Sequence, residues 1–178
     1  MQYRRKNIGG GTYFFTLNLA ERSKRLLVEH IDNLRSAIRL VKQRHPFHIE
    51  AMVVLPDHLH AIWTLPLADS DYATRWMLIK MGFSRTLPKV ERVSTSRRSK
   101  GERGIWQRRY WEHTLRDDDD FRRHMDYVYF NPVKHGYVTN PVEWPYSSLH
   151  RYIRNGMLPV DWGAEACIPN DIDYGENG

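Results

Sequence analysis

Two places in the chain carry residues whose types and spacing could do chemistry. The first is His58-Leu59-His60. Alternate residues of an extended chain share a face, so on a strand both imidazoles point the same way and can hold one metal ion. The second is the segment from Asp120 to Asn131, D-F-R-R-H-M-D-Y-V-Y-F-N. At about 100° per helical residue, with Phe121 at the origin, Met125, Val128 and Tyr129 gather into one apolar stripe. Asp120, His124, Tyr127 and Asn131 gather into a separate polar face. This predicts that Tyr129 is a core residue and that Tyr127 is exposed, with Asn131 one turn later on its face. Each feature alone has a plain structural alternative: two partly exposed strand histidines, and a surface tyrosine on an amphipathic helix.

Taken together, a tyrosine hydroxyl, an amide and two imidazoles around one metal ion make a phosphoryl-transfer site. The ion would polarise a non-bridging phosphate oxygen and orient the phosphate for in-line attack. The phenol would be the covalent nucleophile, its ordinary pKa of about 10 lowered by the metal or met by a nearby base. Phosphate and amide oxygens suit Mg²⁺ or Mn²⁺, and the histidines tilt the choice towards Mn²⁺. His124 shares the Tyr127 face and is a candidate for a supporting or proton-transfer role.

The elements that must position these residues are legible in the hydrophobic pattern. Residues 12–19 read as a strand, being β-branched and aromatic. Residues 23–44 read as a helix, because Leu27, Ile31, Leu34, Ile38 and Val41 recur at spacings of three and four. Residues 47–55 and 59–65 read as a hairpin turning at Pro56-Asp57. Residues 70–87 read as a second helix and 106–115 as holding a fourth strand. A last helix is capped by the aspartates at 117–120 and runs to about Pro132. The order β-α-β-β-α-β-α describes an α+β fold: a ferredoxin-like split βαβ antiparallel sheet, with helices on one face and an added C-terminal catalytic helix. Residues 1–150 are expected to form one catalytic domain. It carries a basic, loop-like insertion at about 86–104, and 151–178 form a fraying tail.

Charge is concentrated. The chain has 178 residues and net charge +6. Residues 84–110 hold nine basic residues against Glu91 and Glu102, so they carry +7 and the remainder −1. Such clustering is the footprint of a polyanion binder, with Arg97, Arg98, Arg108 and Arg109 as candidate DNA contacts. A solvated basic loop is the alternative. The 41% hydrophobic content argues against disorder, and the single Cys167 excludes a disulfide framework or a cysteine-based zinc site. No run approaches a membrane span, and the N-terminus lacks the cleavage site of a signal peptide. A cytoplasmic, nucleoid-associated protein is expected.

The motifs closely resemble those of the REP-associated tyrosine transposases, relatives of bacterial single-strand transposases with a His-hydrophobic-His motif and one catalytic tyrosine. Five segments carry the likeness: Tyr3-Arg4-Arg5 with Gly10 to Phe15; Val53 to His60 with Ile62 to Pro66; Trp106-Gln107 with Trp111-Glu112-His113; Asp126 to Tyr129 with Asn131 to Gly136; and Trp144-Pro145 with Ser147-Ser148. The resemblance implies that His58, His60 and Asn131 bind a divalent metal and that Tyr127 is the nucleophile. It implies cleavage and rejoining of single-stranded DNA at hairpins of repetitive extragenic palindromes (REP elements), through a 5′-phosphotyrosine, by a monomer. Arg4 and Arg5 would contact DNA beside the hairpin. His113 lies in a family motif without an assigned role. The basic stretch is longer than the family usually shows.

Three other classes compete. A non-catalytic hairpin-DNA-binding regulator would not need the set His58, His60, Tyr127 and Asn131. An RNA-recognition domain of the same superfold would show an aromatic RNP motif, which is missing. A zinc hydrolase would need a third histidine or carboxylate at helical spacing from the pair.

Overall fold

The computed structural model describes residues 9–89, 91, 93–163 and 174–175. Arg4, Arg5, Arg92 and Cys167 lie outside the described residues.

Strand β1 (Thr12–Asn18) is central. It pairs antiparallel with β3 (His58–Thr64) on one side and with the short β4 (Trp111–Thr114) on the other. Strand β2 (His48–Val54) forms the expected hairpin with β3, giving the order β2-β3-β1-β4 of the ferredoxin-like sheet. The hairpin is closed by Leu55 N–H donating to His58 O at 2.9 Å. The expected first helix is two helices, α1 (Leu26–Glu29) and α2 (Ile31–Arg44). They are separated at His30, whose φ of −117° and ψ of 37° leave the helical region. Helix α3 (Tyr72–Thr86) packs beside α2.

The alternation of β1 and β3 divides the core in two. Tyr13, Phe15, Leu17, Leu59, Ala61 and Trp63 pack with Leu34, Ile38, Trp76, Ile79 and Phe83 of α2 and α3. Trp63 and Trp76 stack at 3.8 Å. Phe14, Ile62, Ala51 and Val53 face the other way and pack with Tyr127 and Val128 of α5 (Asp118–Lys134). Helices therefore cover both faces of the sheet, not one, and the face that carries His58 and His60 lies under α5.

This also corrects the reading of the last helix. Its expected polar face is the face turned inward: Asp120, His124, Tyr127 and Asn131 are all buried. Val128, Tyr129 and Phe130 are buried as well, Tyr129 beside Tyr152 and Trp162 and Phe130 beside Trp162. Tyr127 is 3% exposed and Tyr129 1%, so exposure does not separate them. Helical periodicity assigns faces but not what each face meets, and here polar partners on the sheet receive the polar face.

Helix α5 begins on Asp117, whose side chain accepts from Asp120 N–H at 2.8 Å, and acids at 118–120 complement the helix dipole. It continues through Pro132 and stops at Gly136, where φ is +71°.

The basic stretch is folded where it is described. It contains the short helix α4 (Thr95–Arg98), and Arg103 clamps it to the body. That guanidinium donates to Ser84 O, to Leu87 O at 2.8 Å, to Pro88 O at 2.7 Å and to both carboxylate oxygens of Glu91. The chain then returns to the sheet edge, with Trp106 bridged to Leu19 and Gln107 N–H donating to Asn18 O. Only Trp111–Thr114 of the expected fourth strand is regular. Helix α6 (Leu149–Arg154) crosses the boundary drawn at residue 150, and Arg151 and Tyr152 donate to Ile49 O and Glu50 O of β2.

Candidate active site

Register assembles the site. Across β1 and β3, Asn18 lies opposite His58, Thr16 opposite His60 and Phe14 opposite Ile62, all on the face beneath α5. The His58 and His60 rings are 5.1 Å apart, and the Tyr127 ring meets His60 edge-on at 5.1 Å. Asn131, one turn after Tyr127, is fully buried.

Hydrogen bonds fix both imidazole tautomers. Asp57 is a carboxylate and only accepts, so the 2.8 Å contact makes His58 Nδ1–H the donor. Burial works against the Asp57 carboxylate, but hydrogen bonds and charge from His58 and Arg22 outweigh it and hold its pKa at about 2. Arg22 bridges Asp57 and Asn18 Oδ1. Thr16 Oγ1 donates to Tyr174 O at 2.6 Å, so towards His60 it accepts, from Nδ1–H at 2.8 Å. Both histidines therefore present Nε2 as the lone-pair nitrogen, the arrangement a metal ligand requires. His58 Nε2 is buried with no hydrogen-bond partner. Burial first, and then repulsion between a charged His60 and the neighbouring His58, His135 and Lys134, push the His60 pKa well below the ordinary value. Two imidazoles and one amide oxygen are a donor set that suits a divalent ion.

Residues that the sequence reading missed complete the site. Lys134 Nζ donates to Tyr127 Oη at 3.2 Å and lies 4.9 Å from its ring centre. Its spacing of seven from Tyr127 puts it on the same helix face and could have flagged it. The His135 ring is 4.9 Å from His58, and burial with the charges of His58 and Lys134 pushes its pKa down to about 4. Tyr174 stacks on Tyr127 at 3.5 Å and 19°, covering the phenol from the C-terminal segment expected to fray. Asn18 Nδ2 donates to Gly175 O at 3.4 Å. Gly175 has φ +77°, and a Cβ there would fall 2.4 Å from Trp111, so the close approach needs glycine. No local signal marks these tail contacts.

His124 belongs to a neighbouring cluster, separated from the histidine pair by the Phe14 ring. It stacks on His113 at 4.9 Å, and its Nδ1–H donates to Asp120 O at 2.8 Å. His113 Nε2–H donates to Asp120 Oδ2 at 2.9 Å. Burial works against the Asp120 carboxylate, but the His113 hydrogen bond and the charges of both imidazoles hold its pKa below the usual range. Among the described residues, His113, Asp120 and His124 offer ligand atoms within 4.8 Å of one another and could also hold a metal ion. As arranged, they tie the first turn of α5 to β4.

Of the candidate DNA contacts, Arg98, Arg108 and Arg109 are exposed, and Arg97 is half-buried with NH1 donating to Trp106 O at 3.1 Å. Arg108 also pairs with Glu102 at 2.9 Å. No helix among the described residues is long and apolar enough to cross a membrane.

No protein-family model matches the chain. It is 44% identical over 175 residues to a REP-associated tyrosine transposase of Escherichia coli (strain K12), covering 98% of this chain and 96% of that one. It is 48% identical over 162 residues to a putative REP-associated tyrosine transposase of Haemophilus influenzae, covering 90% and 92%. A solved structure described as a REP-associated tyrosine transposase bound to a REP hairpin superposes with a TM-score of 0.84 at 44% identity, covering 99% of this chain and 97% of that one. With identity at this level over nearly the whole length, the chain belongs to the REP-associated tyrosine transposase family.

Proposed function

We propose that the protein is a metal-dependent single-stranded DNA endonuclease and strand transferase of the HUH type. It cleaves and rejoins DNA at REP-type hairpins, in the cytoplasm at the nucleoid. Tyr127 Oη attacks the scissile phosphorus, the bond to the 3′ oxygen breaks, and that oxygen leaves as a 3′-hydroxyl on taking up a proton. The product is a 5′-phosphotyrosine, which a 3′-hydroxyl reverses in strand joining. A divalent ion, Mg²⁺ or Mn²⁺, held by His58, His60 and Asn131 would supply Lewis-acid polarisation of a phosphate oxygen. Asp57 holds His58 in the ligating tautomer, and Thr16 does the same for His60 while its hydroxyl donates to Tyr174 O. Lys134 stabilises negative charge developing on the phenol oxygen and on the incoming phosphate. All these residues come from one chain, so one copy suffices for the chemistry.

The observation that carries this reading is the Tyr127 ring packed against His60, beside two imidazoles whose Nδ1 atoms are both held by hydrogen bonds. The test is a gel assay for an SDS-resistant adduct on a labelled single-stranded hairpin from the host's repeats, with Mn²⁺ or EDTA. Wild type should form a metal-dependent adduct. Tyr127→Phe should bind the hairpin and form none. Tight binding by wild type without any adduct would favour the second reading, a hairpin-binding regulator. The Tyr174 ring over the nucleophile is the feature that favours that alternative.

A further inference from the structure

A cleft of about 670 Å³ opens between α3 and the returning 97–110 segment, on the sheet face opposite α5. Its floor is aromatic: Trp106 and Tyr110 both line it. Trp106 is 6% exposed, and its indole Nε1 is buried with no hydrogen-bond partner. Lys80 Nζ sits 6.0 Å from the Trp106 ring centre and 5.9 Å from Tyr110, donating to Gln107 O at 2.8 Å. One wall is Met77 and Met81, both exposed despite being large and apolar.

The charge around this cleft is unbalanced. Lys80, Arg85, Arg97, Lys100, Arg103 and Arg108 line it; Arg108 is paired with Glu102 and Arg103 with Glu91, which leaves Lys80, Arg85, Arg97 and Lys100 in excess. Burial, and to a lesser degree Arg97, lowers the Lys80 pKa to about 8 against the opposing pull of Glu102. An aromatic surface, adaptable thioethers and a cationic rim match a nucleobase with its phosphate.

Position selects the source. Trp106 is bridged to Leu19, Gln107 N–H donates to Asn18 O, and Asn18 lies opposite His58. The cleft therefore sits off the sheet edge at the same end as the histidine pair. A strand leaving the site round that edge would pass the exposed Arg108 and Arg109 and arrive at the aromatic floor within a few nucleotides.

We infer that this cleft seats an unpaired base of the single-stranded DNA flanking the hairpin, stacked on Trp106 and Tyr110 with its phosphate on the Lys80–Arg97 side. The inference rests on the proposed function and adds to it a second, non-catalytic DNA site that reads the flank.

The test measures hairpin binding by fluorescence anisotropy with the full chain. It uses wild type, Lys80→Gln and Met81→Glu. The probes are a blunt hairpin, the same hairpin with a short unpaired DNA flank on either side, and flanked versions with abasic residues. Met81 is exposed, so Met81→Glu keeps the experiment informative if Lys80→Gln is poorly folded; melting curves check both. The expected result is that each variant weakens binding of one flanked hairpin about tenfold, leaving the blunt hairpin unchanged. The abasic flank should bind wild type as weakly as the intact flank binds the variants. Equal losses on blunt and flanked hairpins, or no penalty for abasic residues, would overturn the cleft assignment and leave the proposed function standing. If wild type binds no hairpin, the proposed function fails instead. The cleft then stands or falls on whether an unstructured oligonucleotide binds wild type more tightly than the two variants. An RNA flank binding better than DNA would also refute it.

Discussion

At the scale of single residues, the chemistry depends on which nitrogen of each histidine carries the proton. Asp57 fixes this for His58 through a 2.8 Å hydrogen bond. Asp57→Asn offers the ring either an amide oxygen or an amide hydrogen, so the tautomer is no longer enforced. Metal affinity, measured as the Mn²⁺ concentration for half-maximal adduct formation, should weaken about 10- to 100-fold. The same substitution has a stability signature. The Asp57 pKa is depressed to about 2 in the folded protein, so its contribution is fully present above its unfolded value near 4 and fades as pH falls towards 2. Urea unfolding between pH 5 and pH 2.5 should therefore show a shallower loss of stability in Asp57→Asn than in wild type. Lys134 is the second residue to probe. Its ammonium donates to the Tyr127 hydroxyl, and Lys134→Met should slow adduct formation about a hundredfold with hairpin affinity changed far less. Lys134→Arg should recover part of the rate. An unchanged rate in Lys134→Met would remove Lys134 from the chemistry.

At the scale of elements, α5 is the part that must be placed correctly, because it carries Tyr127, Asn131 and Lys134 together. Asp117 caps its start, and Asp117→Ala should cost about 1 kcal/mol, a fall of about 2–4 °C in Tm for a chain of this size. The adduct rate should change little, because the Asp120 cluster with His113 and His124 still holds the first turn against β4. Much of this architecture is written locally. The β-branched and aromatic run at 12–19, the Pro56-Asp57 turn and the aspartates before α5 each specify their element without tertiary help. The helical wheel correctly grouped Asp120, His124, Tyr127 and Asn131 on one face. It misjudged what that face meets, since burial of polar side chains depends on partners that only the sheet register supplies. Thr16 shows this well. Nothing in its local sequence marks it, and its role follows from standing opposite His60. The break at His30 and the clamp made by Arg103 were likewise hidden, one in a continuous hydrophobic period and the other in a run of like charge.

At the scale of the whole molecule, the chain's end returns to its chemical centre. Tyr174 stacks on Tyr127, the proposed nucleophile, the Tyr174 carbonyl accepts from Thr16, and Gly175 O accepts from Asn18. On the proposed mechanism, a scissile phosphate reaches Tyr127 only after this contact opens. An aromatic stack is worth about 0.5–1.5 kcal/mol and a buried neutral hydrogen bond about 1 kcal/mol. Holding the segment in place therefore costs access about 2 kcal/mol from the stack and the Thr16 bond, or roughly thirtyfold, with the 3.4 Å Asn18 contact adding little. Ending the chain at Asp173 should raise the initial rate of adduct formation at saturating hairpin by about that factor, with hairpin affinity little changed. Tyr174→Ala, which keeps the two backbone acceptors, should give an intermediate increase. The two variants separate steric cover from a folding effect, since a merely destabilised site would lose rate in both. If neither variant is faster than wild type, opening of the tail is not what limits access to Tyr127, and the slow step lies with the DNA.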